Sequence, residues 1–284
     1  MPQKIVAIDS QRLESMASCA RIFDNKFNKN LVPLITPDYL ERGSLIHEML
    51  AVYYNLRMHR ENWKSNGKTY RDICESCIKA GRFKGHSMSL AISEIEYTID
   101  IFNQYTDLWE NDGWDNIEAV EKSGSKILYT SDNLIILYEV KIDLILKEKN
   151  KLRGVDHKHS QSRRDPNELS NQFKGYCWFL ETDEFIVNEV GFQKTVKPVD
   201  KFRRHPLLYS KEIIDEWRES VIYYVNLALE WERMGIYPPN YTSCDKFSGC
   251  DFKDICKAVP GEYRQFMLNK NFKERTWDVG KEHL

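Results

Sequence analysis

Residues 138–158 constrain this chain more than any other stretch. They run Tyr-Glu-Val-Lys-Ile-Asp-Leu-Ile-Leu, then the polar turn Lys-Glu-Lys-Asn-Lys, then Leu-Arg-Gly-Val-Asp-His-Lys. Alternating strand formers on either side of a short polar turn read as a β-hairpin. With Lys149 and Asn150 at its centre, counting outward pairs Asp143 with Asp156 on one face. Two carboxylates then lie with Cβ atoms roughly 5 Å apart. Such a pair is destabilising unless it shares a proton or a cation, and a divalent ion with a preference for oxygen suits it. Lys158 points to the same face, because side chains alternate along a strand. An Asp, an Asp and a Lys therefore converge. A surface hairpin with solvated acids is the plainer reading of an isolated D-x-K. Here, however, Asp143 sits between Ile142 and Leu144 in an otherwise apolar strand.

With 284 residues, 42% hydrophobic and 30% charged, the chain can bury a sizeable core as one large domain or as one domain with an appendage. No stretch approaches eighteen apolar residues and the N-terminus lacks a hydrophobic signal region, so a cytoplasmic protein without a membrane span is expected. The net charge of −2 does not advertise a nucleic-acid binder. Acidic metal ligands make overall charge a poor guide, and local basic clusters matter more. Seven cysteines without a secretory signal point to metal binding rather than a disulfide framework wherever they cluster.

Taken in order, Ser10 caps an expected helix to about Asn28 with Cys19 at the edge of its buried stripe. Pro37 opens a second, Asp38 to about Met58, with Gly43 and His47 one turn apart. Taken alone, His47 reads more readily as a hydrogen-bonded core residue than as a ligand. Cys74 and Cys77 fall on a short helix, Tyr70 to Ala80, as buried or idle thiols. A helix from Ser87 to about Trp109 precedes three strands, Ile117–Tyr129, Leu134–Leu146 and Leu152–Lys158. A helix over Glu168–Glu181 carries Gln172 and Tyr176 on one face, followed by a strand over Phe185–Gln193. Lys194 to Arg204 reads as a basic loop suited to phosphates. A helix over Lys211–Met234 ends at Pro238-Pro239. Beyond it Cys244, Cys250 and Cys256, each separated by five residues, suit a shared metal centre that needs a fourth ligand from elsewhere.

The ordered set Gly43-Ser-Leu-Ile-His47, Ile142-Asp143-Leu144, Gly154-Val-Asp156-His-Lys158, Gln172-Phe-Lys-Gly-Tyr176, and Cys19 with three late cysteines resembles the RecB-like branch of the PD-(D/E)xK nucleases. The likeness is to the iron-sulfur exonucleases associated with CRISPR adaptation and to the AddB-type nuclease domain. It departs from that pattern at Val140, where the family commonly has Gly, and in the five-and-five cysteine spacing. The resemblance implies an α/β restriction-endonuclease-like core with a mixed central β-sheet flanked by helices. One domain would span 1–284: a mainly helical region over 1–115, the core over 116–236 and a cysteine-rich loop and tail over 237–284. It implies His47, Asp143, Asp156 and the carbonyl of His157 as ligands of Mg²⁺ or Mn²⁺. Lys158 would position the attacking water, and Gln172 and Tyr176 would line the site and contact DNA. Cys19, Cys244, Cys250 and Cys256 would hold a structural [4Fe-4S] cluster, with zinc as the alternative. The implied activity is exonucleolytic hydrolysis of DNA, single-stranded or at ends, beside a helicase, recombination or CRISPR-adaptation partner. A non-catalytic DNA-binding protein of the same fold and a zinc-stabilised nuclease acting on RNA are the competing expectations.

Overall fold

The computed structural model describes residues 3–35, 37–59, 92–160, 165–246 and 249–275. The expected helix with Cys74 and Cys77 lies outside these. The elements in chain order are β1 (Lys4–Ile8), α1 (Ser10–Ser18), α2 (Ala20–Phe23), a π-helical turn (Asp24–Asn28), β2 (Leu31–Pro33), α3 (Asp38–Met58) and α4 (Ile92–Leu108). Next come β3 (Ile117–Thr130), β4 (Leu134–Glu148), β5 (Lys151–Ser160), α5 (Asn171–Leu180) and β6 (Glu184–Gly191). The chain continues with α6 (Pro198–Lys201), β7 (Phe202–Leu208), α7 (Lys211–Met234), a 3₁₀ turn (Tyr241–Ser243), α8 (Lys253–Lys257), α9 (Glu262–Asn271) and β8 (Phe272–Glu274). It is an α/β fold, and none of the described helices is long and apolar enough to cross a membrane.

Two compact units emerge: Met1–Thr36 with Ser125–Glu139 and Asp215–Leu284, and Pro37–Gly124 with Val140–Ile214. Strands β3 and β4 contribute residues to both.

In the second unit the end of β4 pairs antiparallel with β5, β5 pairs parallel with β6, and β6 pairs antiparallel with β7, making a mixed sheet. The hairpin has the register read from the sequence: Glu148 opposes Lys151 and Leu144 opposes Val155. Lys149 turns the corner at φ +55. One face carries Val155, Ile186 and Val190 against Leu45, Ile46, Met49, Leu50, Tyr53 and Tyr54 of α3 and Ile101, Phe102 and Tyr105 of α4. Spacings of three and four place these side chains on one helical stripe. Each large apolar side chain fully buried there contributes about 1.5–3 kcal/mol. On the opposite face α5 packs through Phe173, whose ring stacks on Phe185 at 5.3 Å. Gly154 permits that approach, because a Cβ there would meet the Phe185 ring at 2.4 Å.

The sequence reading is corrected at three places. The segment 194–204 is not one basic loop: it contains the turn α6 and the start of β7, which pairs with β6. Arg204 is packed against the rings of Trp109 and Trp114, 3.9 and 3.3 Å from their centroids, and paired with Asp112. Lys201 is buried and donates to Gln104. Neither side chain faces solvent as a phosphate contact would. The first helix is broken at Cys19, whose extended backbone ends α1 and starts α2. Its N-cap is Asp9 rather than Ser10, accepting from the Arg12 N–H at 2.7 Å.

In the first unit β1, which the sequence reading missed, runs parallel to Leu134–Tyr138 of β4. Helix α7 buries Trp217, Val221, Val225, Ala228 and Trp231, and Trp217 meets Tyr138 edge to face at 5.0 Å. A smaller core of Phe252, Ile255, Leu268 and Phe272 supports the C-terminal segment, where β8 pairs with β2.

Candidate active site

Gly43 lets α3 seat its His47 turn against the sheet: a Cβ at residue 43 would fall 2.2 Å from the His159 ring. One turn later, His47 Nδ1 lies 3.4 Å from Asp143 Oδ2. Paired residues of β4 and β5 end at Leu144 and Val155. Beyond them the His157 N–H donates to Asp143 Oδ2 at 2.7 Å. Asp143 is therefore held by an imidazole and a main-chain donor. Burial disfavours its charge, but these two partners outweigh burial and hold its carboxyl below the usual range.

Asp156 behaves oppositely. Burial, joined by the charge of Asp143, pushes it up to about 6 despite Lys158. Lys158 Nζ lies 2.7 Å from Asp156 Oδ2 and donates to Gln172 Oε1 at 3.0 Å. Gln172 in turn donates through Nε2 to Asp156 Oδ1 at 3.0 Å and to Tyr176 Oη at 2.9 Å. Tyr176 donates to the Lys141 carbonyl at 2.6 Å. Helix α5 delivers Gln172 and Tyr176 together because they are one turn apart, and Ser170 caps it by accepting from the Gln172 N–H.

His47 is raised: burial lowers it, but Asp143 and then Asp156 favour the imidazolium more strongly. His157 is driven down to about 3, chiefly by burial, so its ring is neutral. That ring does not join the carboxylates but turns into the core beneath α3 and α4, stacked on Tyr54 at 5.5 Å.

Glu121 on β3 escaped the sequence reading. Its backbone has φ +51, a conformation uncommon for a non-glycine residue and one that re-aims a side chain within a strand. Single ligand atoms of His47, Glu121 and Asp143 lie within 4.8 Å of one another, and among the described residues these three form the group able to share an ion. Burial, then the charge of Asp143, raises the Glu121 carboxyl against the opposing pull of Lys141, 2.8 Å away. A Glu inside the strand-forming run from Ile117 was the available signal.

The first unit gathers the cysteines' surroundings. The Asn240 N–H donates to Cys19 Sγ at 3.2 Å, Asn240 Nδ2 and Ser243 Oγ donate to the Ser18 carbonyl, and Arg21 reaches Cys256 Sγ at 3.7 Å. The Cys250 N–H donates to the Cys244 carbonyl at 3.0 Å. Burial raises the Cys250 thiol, and the charges of Cys244 and Cys256 add to this. All four are free thiols.

Comparison with curated proteins gives no match. Among solved structures, one from Eubacterium rectale, described as a candidate exonuclease, superposes with TM-score 0.53 at 10% identity, covering 84% of this chain and 86% of that one. That likeness concerns the fold alone. A phage-related exonuclease from Haemophilus somnus 129PT matches over 56% of this chain and 84% of its own, with 14% identity and TM-score 0.28. The family model for the PD-(D/E)XK nuclease superfamily matches residues 10–257, a span that includes His47, Glu121, Asp143, Asp156, Lys158 and the α5 pair. With nearly the whole chain matched, the protein belongs to the PD-(D/E)XK nuclease superfamily.

Proposed function

We propose that this protein is a metal-dependent DNA exonuclease acting on single-stranded DNA or DNA ends. The observation that carries the reading is the grouping of His47, Glu121 and Asp143 around one point, beside an Asp156 tied to Lys158 and Gln172. One imidazole nitrogen among carboxylate oxygens fits Mg²⁺ or Mn²⁺. Asp156 and the His157 carbonyl complete the proposed ligand set. Such an ion supplies Lewis-acid polarisation of the scissile phosphate and a water of lowered pKa.

The chain's own groups do the rest. Lys158, fixed between Asp156 and Gln172, orients the attacking water and offsets charge growing on the phosphate. Gln172 keeps the ammonium in place and Tyr176 anchors Gln172. His47 must give up its proton to act as a ligand, so ion affinity rises with pH through the raised His47 pKa. End-labelled linear and circular single-stranded DNA, incubated with Mn²⁺ or with excess EDTA, tests the reading. Stepwise loss from the ends of linear DNA with Mn²⁺ is expected. Equal degradation in EDTA, or cleavage of RNA with DNA spared, would overturn it.

The proposal includes a [4Fe-4S] cluster on Cys19, Cys244, Cys250 and Cys256. Its support is the break in the helix at Cys19 and the N–H donors directed at two of the sulfurs, since hydrogen bonds to cysteine sulfur are typical of such centres. Anaerobically purified protein is expected to be brown, with about four irons per chain. Cys250→Ser should bleach it and lower the melting temperature. Colourless protein with one zinc would replace the cluster by a thiolate zinc site. A helicase, recombination or CRISPR-adaptation partner belongs to the same proposal, and co-purification with such a protein is its test.

A further inference from the structure

Behind the carboxylates lies a polar chain that the proposed reaction does not use directly. Residues His157 and Asn188 are directly paired across β5 and β6, on the sheet face covered by α3 and α4. Asn188 Nδ2 lies 2.8 Å from His157 Nδ1 and donates to Tyr105 Oη at 2.9 Å. Tyr105 Oη shares a hydrogen bond of 2.7 Å with Tyr54 Oη. The Tyr54 ring then stacks on the His157 imidazole, 8° from parallel, closing the circuit. Tyr54, Tyr105 and Asn188 are each 0% exposed and His157 is 3% exposed.

An apolar core gains nothing obvious from this arrangement. Asn188 Oδ1 is buried with no hydrogen-bond partner among the described residues, and buried orphan acceptors are uncommon enough to ask for a reason. The reason offered by the geometry is the other end of His157. Its main-chain N–H holds Asp143 Oδ2 at 2.7 Å, so a ring locked from below fixes a donor above.

We infer that Asn188, backed by Tyr105 and Tyr54, is a positioning residue that sets ion affinity by holding His157, and through its N–H Asp143, in ligand geometry. Partners one step removed from the ligands commonly change metal affinity by about 10–100-fold when replaced. The inference rests on the nuclease reading of the site.

The test is Mn²⁺ binding to the full chain without DNA, followed by loss of the free-ion EPR signal. Asn188→Leu should weaken binding about tenfold or more, and Tyr105→Phe should weaken it by less. Ile101→Val, a change in the same core that removes none of the polar groups, should lower the melting temperature while leaving affinity unchanged. Saturating Mn²⁺ should restore DNA turnover to Asn188→Leu and not to Lys158→Ala. Wild-type affinity in Asn188→Leu, or equal weakening in Ile101→Val, would overturn the inference. If Asn188→Leu does not fold, unchanged affinity in Tyr105→Phe overturns it. Wild-type protein that binds no Mn²⁺ would sink the nuclease reading itself, and this inference with it.

Discussion

Lys158→Ala is expected to cut DNA hydrolysis by at least about 100-fold while leaving the fold intact, because a preorganised group that meets charge developing in the transition state is typically worth that much. Lys158 is well placed for this. Its ammonium is held between Asp156 Oδ2 and Gln172 Oε1, yet the side chain keeps 45% of its surface exposed and so faces incoming substrate. The substitution also removes the cation that opposes the rise of Asp156. Asp156 should then take up its proton at higher pH, and the acidic limb of the pH–rate profile should move to higher pH. Lys158→Arg should rescue little, since a planar fork cannot reproduce a point charge in this gap. Single-turnover kinetics at saturating Mn²⁺, with circular dichroism as the check on folding, measure both effects. A variant as fast as wild type would remove Lys158 from the chemistry.

The second large effect concerns stability. Two facing acids on a hairpin repel, and by that argument alone neutralising Asp143 would stabilise the metal-free protein. The structure redistributes that burden. Asp143 is held below the usual carboxylate range by His47 and the His157 N–H, so its charge is stabilising and Asp143→Asn should weaken the fold. Asp156 carries the cost. Its folded pKa of about 6 lies above its ordinary value of 3.8. A carboxyl raised on folding contributes stability that is fully present below its unfolded pKa and is lost as pH rises through the folded one. The window therefore runs from about pH 4 to just above pH 6.

In EDTA at neutral pH, Asp156→Asn should stabilise the protein by up to about 3 kcal/mol, the equivalent of two pKa units. At pH 4 the gain should vanish. Added Mn²⁺ should raise the melting temperature of wild type, increasingly with concentration, and should do little for the variant. Thermal denaturation at several pH values measures all of this. A variant less stable than wild type at pH 7.5 in EDTA would show that the Lys158 and Gln172 contacts outweigh burial.

Local periodicity determined a good deal here. Alternation and a two-residue turn were enough to set the β4–β5 register as far as Leu144 and Val155, the neighbours of Asp143 and Asp156. Helical spacing placed Gln172 beside Tyr176, and cysteine spacing marked the C-terminal segment. These features depend on neighbours within a turn or a hairpin, so the order of residues contains them. Tertiary structure alone decided which groups became partners across long separations. Strand β1 found β4 about 130 residues away, and Asn188 met His157 only because β6 lies parallel to β5. Glu121 joined His47 and Asp143 through a left-handed kink within β3. Arg204, one of a basic run by composition, was drawn between two tryptophans onto buried Asp112. The opposite titration of the two hairpin acids belongs to the same class. A pKa is set by burial and by charges in three dimensions, and alternation along a strand can name the acids that face each other but not which of them carries the proton.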